Sequence, residues 1–142
     1  MTRAEVFLDT AYAIALSSPT DEHHEKALLL ADELEKDRTR LITIRSVILE
    51  IGNALSKQRY RKAAIALLES LEEDANVEIV GLSEDLYEKG FELYRQRPDK
   101  EWGITDCISF VVMLERGLSD VLTTDQHFEQ AGFNALLRDT KE

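Results

Sequence analysis

The sequence predicts an α/β protein with a parallel sheet that is covered by helices on both faces. Short β-type runs alternate with longer helical patterns along the chain, which is the order of elements in such a sheet. The run LITI at 41–44 is apolar throughout, as expected of a strand that is buried on both sides. No linker, internal repeat or low-complexity segment divides the chain, so we expect a single domain over residues 1–142.

Hydrophobic spacing and turn residues place the individual elements. We predict strands at 6–9, 41–44, 77–80 and 120–124, with a fifth strand at the sheet edge at 134–137. We predict helices at 21–37, 46–58, 61–74, 84–96, 105–117 and 126–132. Ser46 and Thr105 are the expected N-caps of the helices that they begin, and Gly117 is the expected C-terminal stop of the second of these. Gly90 weakens the helix at 84–96.

The composition indicates a folded, acidic protein. Hydrophobic residues make up 44% of the chain and charged residues 32%, as in an ordinary globular domain. Cys107 is the single cysteine, and the N-terminus lacks the pattern of a signal peptide, so we expect a cytoplasmic protein. The net charge of −11 argues against a protein that coats nucleic acid, but it does not exclude an enzyme that meets phosphate through a metal ion.

Four acidic residues stand out by their positions. Asp9 ends the first predicted strand, Asp125 follows the fourth, and Asp106 lies in the first turn of the helix before the fourth strand. Glu50 lies one turn into the helix after the second strand, between apolar neighbours. Because the sites of open parallel sheets lie beyond the carboxyl ends of the strands, these four acids can converge on one edge.

Each acid also has an ordinary structural interpretation, which the sequence alone leaves open. Asp106 suits a helix N-terminus, Asp125 suits an N-cap, and Asp9 suits a turn. Glu50 is harder to explain in this way because an unpaired charge in an apolar helix is costly, although partial exposure of its face stays open. Together the four fit a site for Mg²⁺ or Mn²⁺, because clustered carboxylates repel one another unless a cation neutralises them. Such ions bridge phosphate oxygens and generate hydroxide from bound water.

Four segments in order resemble the PIN-domain nucleases, especially the VapC-like toxins of type II toxin–antitoxin pairs. The segment VFLDTAYAIAL resembles the opening strand of the family with its first acid, HHEKA its first long helix, and TIRSVILEIGNAL the helix of the second acid. The strongest match is WGITDCISFVVMLERGLSDVLTTDQHFEQAGF, which holds the third and fourth acids. The resemblance covers nearly the whole chain.

The resemblance implies a three-layer α/β/α sandwich with a mainly parallel sheet of four to five strands. It implies metal-dependent hydrolysis of RNA phosphodiester bonds with Mg²⁺ or Mn²⁺, a homodimer, and a protein antitoxin as partner. Asp9, Glu50, Asp106 and Asp125 match the catalytic, metal-binding acids of the family. Thr105 and Thr124 match polar positions beside the third and fourth acids, whereas Gln126 departs from the basic residue that often follows the fourth.

The remaining polar and aromatic residues favour structural roles. His23 and His24 fit a solvated surface, His127 fits a position on the surface or beside the site, and Cys107 and Trp102 fit packing. One basic-rich region fits a solvated face and an RNA track equally well. Its members are Arg38, Arg40, Arg45, Lys57, Arg59, Arg61 and Lys62.

Two other function classes, a binding module and a phosphotransfer protein, compete with a nuclease. A PIN-fold binding module that acts through protein or RNA contacts would need no turnover, and retention of all four acids argues against it. A phosphatase of the haloacid dehalogenase type needs a second aspartate two residues after the first, where this chain has Ala11. A receiver domain needs an acidic pair near the first strand and a lysine after a late strand, and neither is present.

Overall fold

The computed structural model describes residues 3–138, which form a five-stranded parallel sheet with helices on both faces. The strands are β1 (Glu5–Leu8), β2 (Arg40–Ile44), β3 (Val77–Val80), β4 (Asp120–Leu122) and β5 (Asn134–Ala135). The helices are α1 (Thr10–Ser17), α2 (His24–Lys36), α3 (Arg45–Ala54), α4 (Gln58–Glu73), α5 (Glu84–Gln96), α6 (Ile104–Arg116) and α7 (Gln126–Gln130). This architecture confirms the predicted three-layer α/β/α fold.

The strand order β3-β2-β1-β4-β5 divides the helices between the two faces. From β1 the chain moves outward through β2 to β3, and it then crosses to β4 and moves outward the other way to β5. Right-handed crossovers therefore place α1–α4 on one face and α5–α7 on the other. The contacts agree, since α1 packs on α2 and α3 while α6 packs on α5 and α7.

An aromatic cluster anchors α6 and α7 to the sheet. The ring of Phe110 meets Phe128 edge-on with centroids 4.9 Å apart, and it meets Trp102 edge-on at 5.0 Å. Phe7 of β1 lies 6.3 Å from Phe128, so the cluster reaches the centre of the sheet. All four side chains are buried, and such edge-to-face pairs add to the stabilisation from burial.

Gly90 lets α5 approach α6 closely. A Cβ atom at this position would lie 2.4 Å from Cγ1 of Ile108 and 3.2 Å from its Cα. The sequence suggested that Gly90 only weakens its helix. The structure shows that the glycine permits close helix packing, which is the gain that offsets its low helix propensity.

Several predicted boundaries and one connection were wrong. Helix α1, which begins immediately after Asp9, was not predicted, because its residues TAYAIALS are apolar on nearly every side and lack helical periodicity. The predicted strand at 120–124 ends at Leu122, because the hydroxyl of Thr123 accepts a hydrogen bond from the Asp125 N–H at 3.0 Å and turns the chain. The edge position of the fifth strand is confirmed, although it spans only 134–135.

Two of the three predicted caps were also wrong. Ile44 rather than Ser46 precedes α3, and Gly103 rather than Thr105 precedes α6. Gly117 is confirmed as the stop of α6, with a left-handed φ of 67° that favours glycine. Within residues 3–138, no helix combines the length and the apolar character that a membrane span requires.

Candidate metal centre

The carboxyl ends of β1 and β4 lie side by side at the point where the strand order reverses. Phe7 pairs with Val121 and Leu8 with Leu122, so the next residue of β1, Asp9, lies opposite Thr123. The N–H of Asp9 also donates to the Leu122 carbonyl at 3.3 Å. Ligand sites of open α/β sheets form at this kind of switch point.

Asp9 is a buried carboxyl group that is only 7% exposed. The hydroxyl of Thr123 donates to its Oδ2 at 2.7 Å. Burial raises the pKa of Asp9 to about 7, against the lowering effect of the hydrogen bonds from Thr123 and the Thr10 backbone. The negative charges of Asp106 and Glu50 raise this pKa further, so both lie close enough to repel Asp9.

Asp106 occupies the third position of α6. Its Oδ2 accepts a hydrogen bond from the Gly103 N–H at 3.0 Å, which satisfies a free donor of the helix start. Burial raises the pKa of Asp106, and the charge of Asp125 adds to this rise while His127 opposes it. Thr105 is the second residue of the helix, and its carbonyl oxygen accepts from the Ser109 hydroxyl at 2.9 Å.

Asp125 and His127 complete a group of three around Asp106. Asp125 is the N-cap of α7 and accepts from the His127 N–H at 2.8 Å. The Nδ1 atom of His127 lies 3.2 Å from Oδ2 of Asp106 and 3.3 Å from Oδ1 of Asp125. One ligand atom from each of the three lies within 4.8 Å of the others. The sequence placed His127 on the surface or beside the site, and the structure places its ring against both aspartates.

Glu50 lies at the open side of this region. It is exposed on α3, and its Oε1 accepts from the Thr10 hydroxyl at 2.9 Å. Of the two interpretations that the sequence left open, the structure favours the exposed one: Glu50 lies on the solvent side of α3 next to Leu49, which is 60% exposed, so its charge carries no large burial cost. Glu50 and Asp9 lie outside the group of three residues whose ligand atoms come together. Glu50 is linked to the site because its negative charge raises the pKa of Asp9.

Sequence reasoning overlooked Thr123. Its buried hydroxyl donates to Asp9 and accepts from the Asp125 N–H, so it links the first and fourth acids. Thr124, which was expected beside the site, offers its carbonyl oxygen to Arg138 at 3.0 Å. The register of β1 against β4 decides between the two threonines, and no motif in the sequence reveals that register.

Residues outside the site mostly take structural roles. Cys107 and Trp102 are buried, as predicted. His24 departs from the expected solvated surface, because it is half-buried and its Nδ1 lies 2.7 Å from the Ala15 carbonyl oxygen. In the basic-rich region, Arg45 pairs with Glu72 and Arg40 with Glu78, so internal ion pairs occupy part of the possible RNA track.

The residues fit a hard divalent cation. Three aspartates and Glu50 present carboxylate oxygens from four different elements. Across residues 3–138, no lysine or arginine forms an ion pair with any of them. Burial and the charges of Asp106 and Glu50 raise the pKa of Asp9, and the positive charge of a bound cation would oppose both effects.

Comparison with known families decides the classification. The model of the PIN domain matches residues 6–134, which is most of the chain. The chain belongs to the PIN domain family. In this fold Asp9 and Asp125 follow the central strands β1 and β4, whereas Glu50 and Asp106 lie on helices α3 and α6. The resemblance to VapC-like proteins predicted from the sequence is confirmed.

Similar PIN proteins include a named ribonuclease. The 23S rRNA-specific endonuclease VapC20 of Mycobacterium tuberculosis is 26% identical over 128 residues, covering 90% of this chain and 95% of that protein. Its crystal structure, described as a sarcin-ricin loop cleaving toxin, superposes with a TM-score of 0.78 at 25% identity and the same coverage.

Two more distant structures share the fold. VapBC2 from Rickettsia felis, bound to a DNA fragment from its promoter, has a TM-score of 0.66 at 15% identity, covering 92% of this chain and 96% of that one. FitAcB from Neisseria gonorrhoeae has a TM-score of 0.63 at 19% identity, covering 92% and 94%.

Proposed function

We propose that this PIN protein is a Mg²⁺- or Mn²⁺-dependent endoribonuclease with a toxin-like role. The observation that carries the proposal is the group of Asp106, Asp125 and His127, whose ligand atoms lie within 4.8 Å of one another at the carboxyl end of the sheet. Asp9 lies close enough to feel the charges of Asp106 and Glu50. The similar VapC20 is named as an endonuclease that acts on 23S rRNA, which supports RNA as the substrate.

The acids would bind the cation, and neighbouring hydrogen-bond donors orient their carboxylates. Asp106 and Asp125 are oriented by the N–H groups of Gly103 and His127, and Asp9 is oriented by Thr123. A divalent ion held by these residues would supply positive charge beside the scissile phosphate and would lower the pKa of a bound water. The acidic chain repels RNA in general, so we expect the bound cation to strengthen substrate binding at the site.

His127 is placed to orient two of the acids. Its Nδ1 lies 3.2 Å from Oδ2 of Asp106 and 3.3 Å from Oδ1 of Asp125. We expect His127 to orient the two carboxylates, so His127→Ala should reduce activity less than removal of either acid.

The proposal includes the partners that the family resemblance implies. We expect a protein antitoxin, a homodimer, and action in the cytoplasm. Co-expression with the product of an adjacent small gene, followed by size-exclusion chromatography with light scattering, tests the first two. A monomer that forms no complex would contradict the expected antitoxin and homodimer, and it would leave the nuclease proposal intact.

Cleavage of single-stranded RNA tests the activity. Purified protein should cleave RNA in Mn²⁺ or Mg²⁺ and be inactive in EDTA. Asp106→Asn and Asp125→Asn should each lose about a hundredfold or more in rate, since the amide keeps the size and loses the charge that binds the cation. Asp32→Asn is the matched control, because Asp32 is exposed on α2 and pairs only with Lys36.

Equal cleavage by wild type and Asp106→Asn would place the activity elsewhere. RNA binding without any cleavage in either metal would favour the alternative, a PIN-fold binding module.

A further inference from the structure

A cavity of about 500 Å³ lies next to the metal centre, between the end of α5 and the start of α6. We call it the aromatic–basic pocket and define it by Phe91, Tyr94, Arg95, Arg97, Lys100 and Trp102. It shares no side chain with the metal centre. Three aromatic rings and three cations at one cavity are unusual in a chain with a net charge of −11.

The aromatic side chains offer a stacking surface. Tyr94 is 46% exposed and stacks on Phe91 with centroids 6.2 Å apart and planes 23° apart. The guanidinium of Arg97 lies 5.2 Å from the centre of the Trp102 ring, and that of Arg95 lies 4.6 Å from the centre of Phe91. Trp102 is buried and lies under Arg97, and Phe91 lies under Arg95, so the exposed Tyr94 ring is the aromatic surface that the pocket offers. An exposed ring beside flat guanidinium groups is a surface on which an unpaired base stacks.

The lining is basic, and neighbouring acids already pair with part of its charge. Arg95, Arg97 and Lys100 line the pocket beside Glu101, and Arg95 pairs with Glu92 at 3.3 Å. Arg97 is held by two hydrogen bonds to Asp99, both 2.9 Å, which fixes its position over Trp102. Lys100 forms no ion pair within 3–138, so its ammonium group is available to a phosphate.

The start of α6 contributes residues both to the pocket and to the metal centre. Trp102 precedes Gly103, whose N–H group holds Asp106, and Cys107, which follows Asp106, lines the cavity. The indole N–H of Trp102 also donates to Gln130 of α7 at 3.0 Å. An RNA whose scissile phosphate lies at Asp106 would therefore have a neighbouring nucleotide beside the pocket.

We propose that the aromatic–basic pocket binds an unpaired nucleobase of the RNA substrate beside the scissile phosphate, with Tyr94 stacking on the base and Lys100 contacting a backbone phosphate. This assignment rests on the proposed ribonuclease function and adds a second point of substrate contact to it. A protein segment is the competing occupant, and the test separates the two.

The test compares two tyrosines of one helix. Tyr87 and Tyr94 are similarly exposed and both stack on Phe91, but Tyr94 alone of the two lines the pocket. Binding of a labelled single-stranded RNA of roughly 12 nucleotides is measured by fluorescence anisotropy in EDTA, and cleavage of the same RNA is measured in Mn²⁺. Tyr94→Ala should raise Kd and KM about tenfold and leave kcat nearly unchanged, whereas Tyr87→Ala should behave as wild type.

A second pair tests the cation. Lys100→Ala should weaken RNA binding, and the slope of log K against log salt concentration should fall by about the amount that one phosphate contact contributes. Lys36→Ala, which changes an exposed lysine of α2, is the control and should leave both quantities unchanged. Circular dichroism spectra that match wild type would confirm that each variant is folded.

The outcomes separate this pocket from the proposed function. If wild type cleaves RNA and Tyr94→Ala matches Tyr87→Ala in both Kd and KM, the pocket does not bind RNA and the nuclease proposal stands. If wild type fails to cleave but binds RNA through Tyr94, the pocket is supported and the nuclease proposal fails. Failure of wild type both to bind RNA in EDTA and to cleave it in Mn²⁺ would overturn both. Loss of antitoxin binding by Tyr94→Ala with unchanged RNA binding would assign the pocket to a protein.

Discussion

Asp9 carries the largest electrostatic cost among the site acids. The folded protein holds a proton on this carboxyl group up to a pKa of about 7, because burial and the charges of Asp106 and Glu50 disfavour ionisation. In the unfolded chain the group ionises near 3.8. Between these two values the unfolded chain has already released a proton that the folded protein retains, so the contribution of Asp9 to the free energy of unfolding falls as pH rises.

This titration predicts how Asp9→Asn changes stability. In EDTA, wild type should lose stability relative to Asp9→Asn as pH rises from about 4 to about 7, by about 1.4 kcal/mol for each unit of pKa shift. Urea melts of both proteins at several pH values measure the difference. A difference that stays constant with pH would mean that Asp9 ionises in the folded protein as it does in water.

Thr123 should matter more than Thr124. Thr123→Val removes the hydroxyl that donates to Asp9 and accepts from Asp125, so it should cost about 1–3 kcal/mol and reduce activity. It should also raise the pH at which the metal supports cleavage, because the Thr123 hydrogen bond lowers the pKa of Asp9. Thr124→Val is the matched control. Activity profiles against pH that coincide for the two variants would remove Thr123 from the site.

At the scale of elements, the contact between α5 and α6 fixes the start of α6 and hence Asp106. Gly90→Ala would bring its Cβ within 2.4 Å of Ile108, so we expect a loss of roughly 1–3 kcal/mol from overpacking. Gly52→Ala is the control, because its Cβ would meet only Leu68 at an ordinary 3.6 Å; that change should be neutral or stabilise the helix. Chemical denaturation measures both. Equal stability of the two variants would show that α5 can shift away at little cost.

The sequence predicted those features that have a local signal. Gly117 ended α6 as expected, and the alternation of strands and helices was sufficient for the sheet. The start of α6 was misplaced because Asp106 reaches back to the Gly103 N–H, so the N-cap needs no side chain of its own. The helix α1 was missed because its residues are apolar without periodicity. The placement of Thr123 beside Asp9 depends on the register of β1 against β4, and the placement of His127 beside Asp106 depends on how α7 packs on α6. Neither has a local sequence signal.

At the scale of the whole molecule, the site balances repulsion against the gain from binding a cation. Asp106→Asn removes one charge from the group that raises the pKa of Asp9. It also weakens a favourable carboxylate at a helix start, which is worth roughly 0.3–1 kcal/mol. Where the relief of repulsion exceeds that loss, the variant melts at or above the temperature of wild type in EDTA.

A thermal melt of wild type and Asp106→Asn across a Mn²⁺ titration tests the metal centre most directly. A cation that binds only the folded protein stabilises it by about 2.7 kcal/mol at a hundredfold excess over Kd. The account predicts that wild type gains several degrees in millimolar Mn²⁺ while Asp106→Asn gains little. Wild type should therefore melt above the variant in Mn²⁺, whereas in EDTA the variant melts at or above wild type. A wild-type melting temperature that shifts no more with Mn²⁺ than that of the variant would contradict the claim that these acids form a cation site in the free protein.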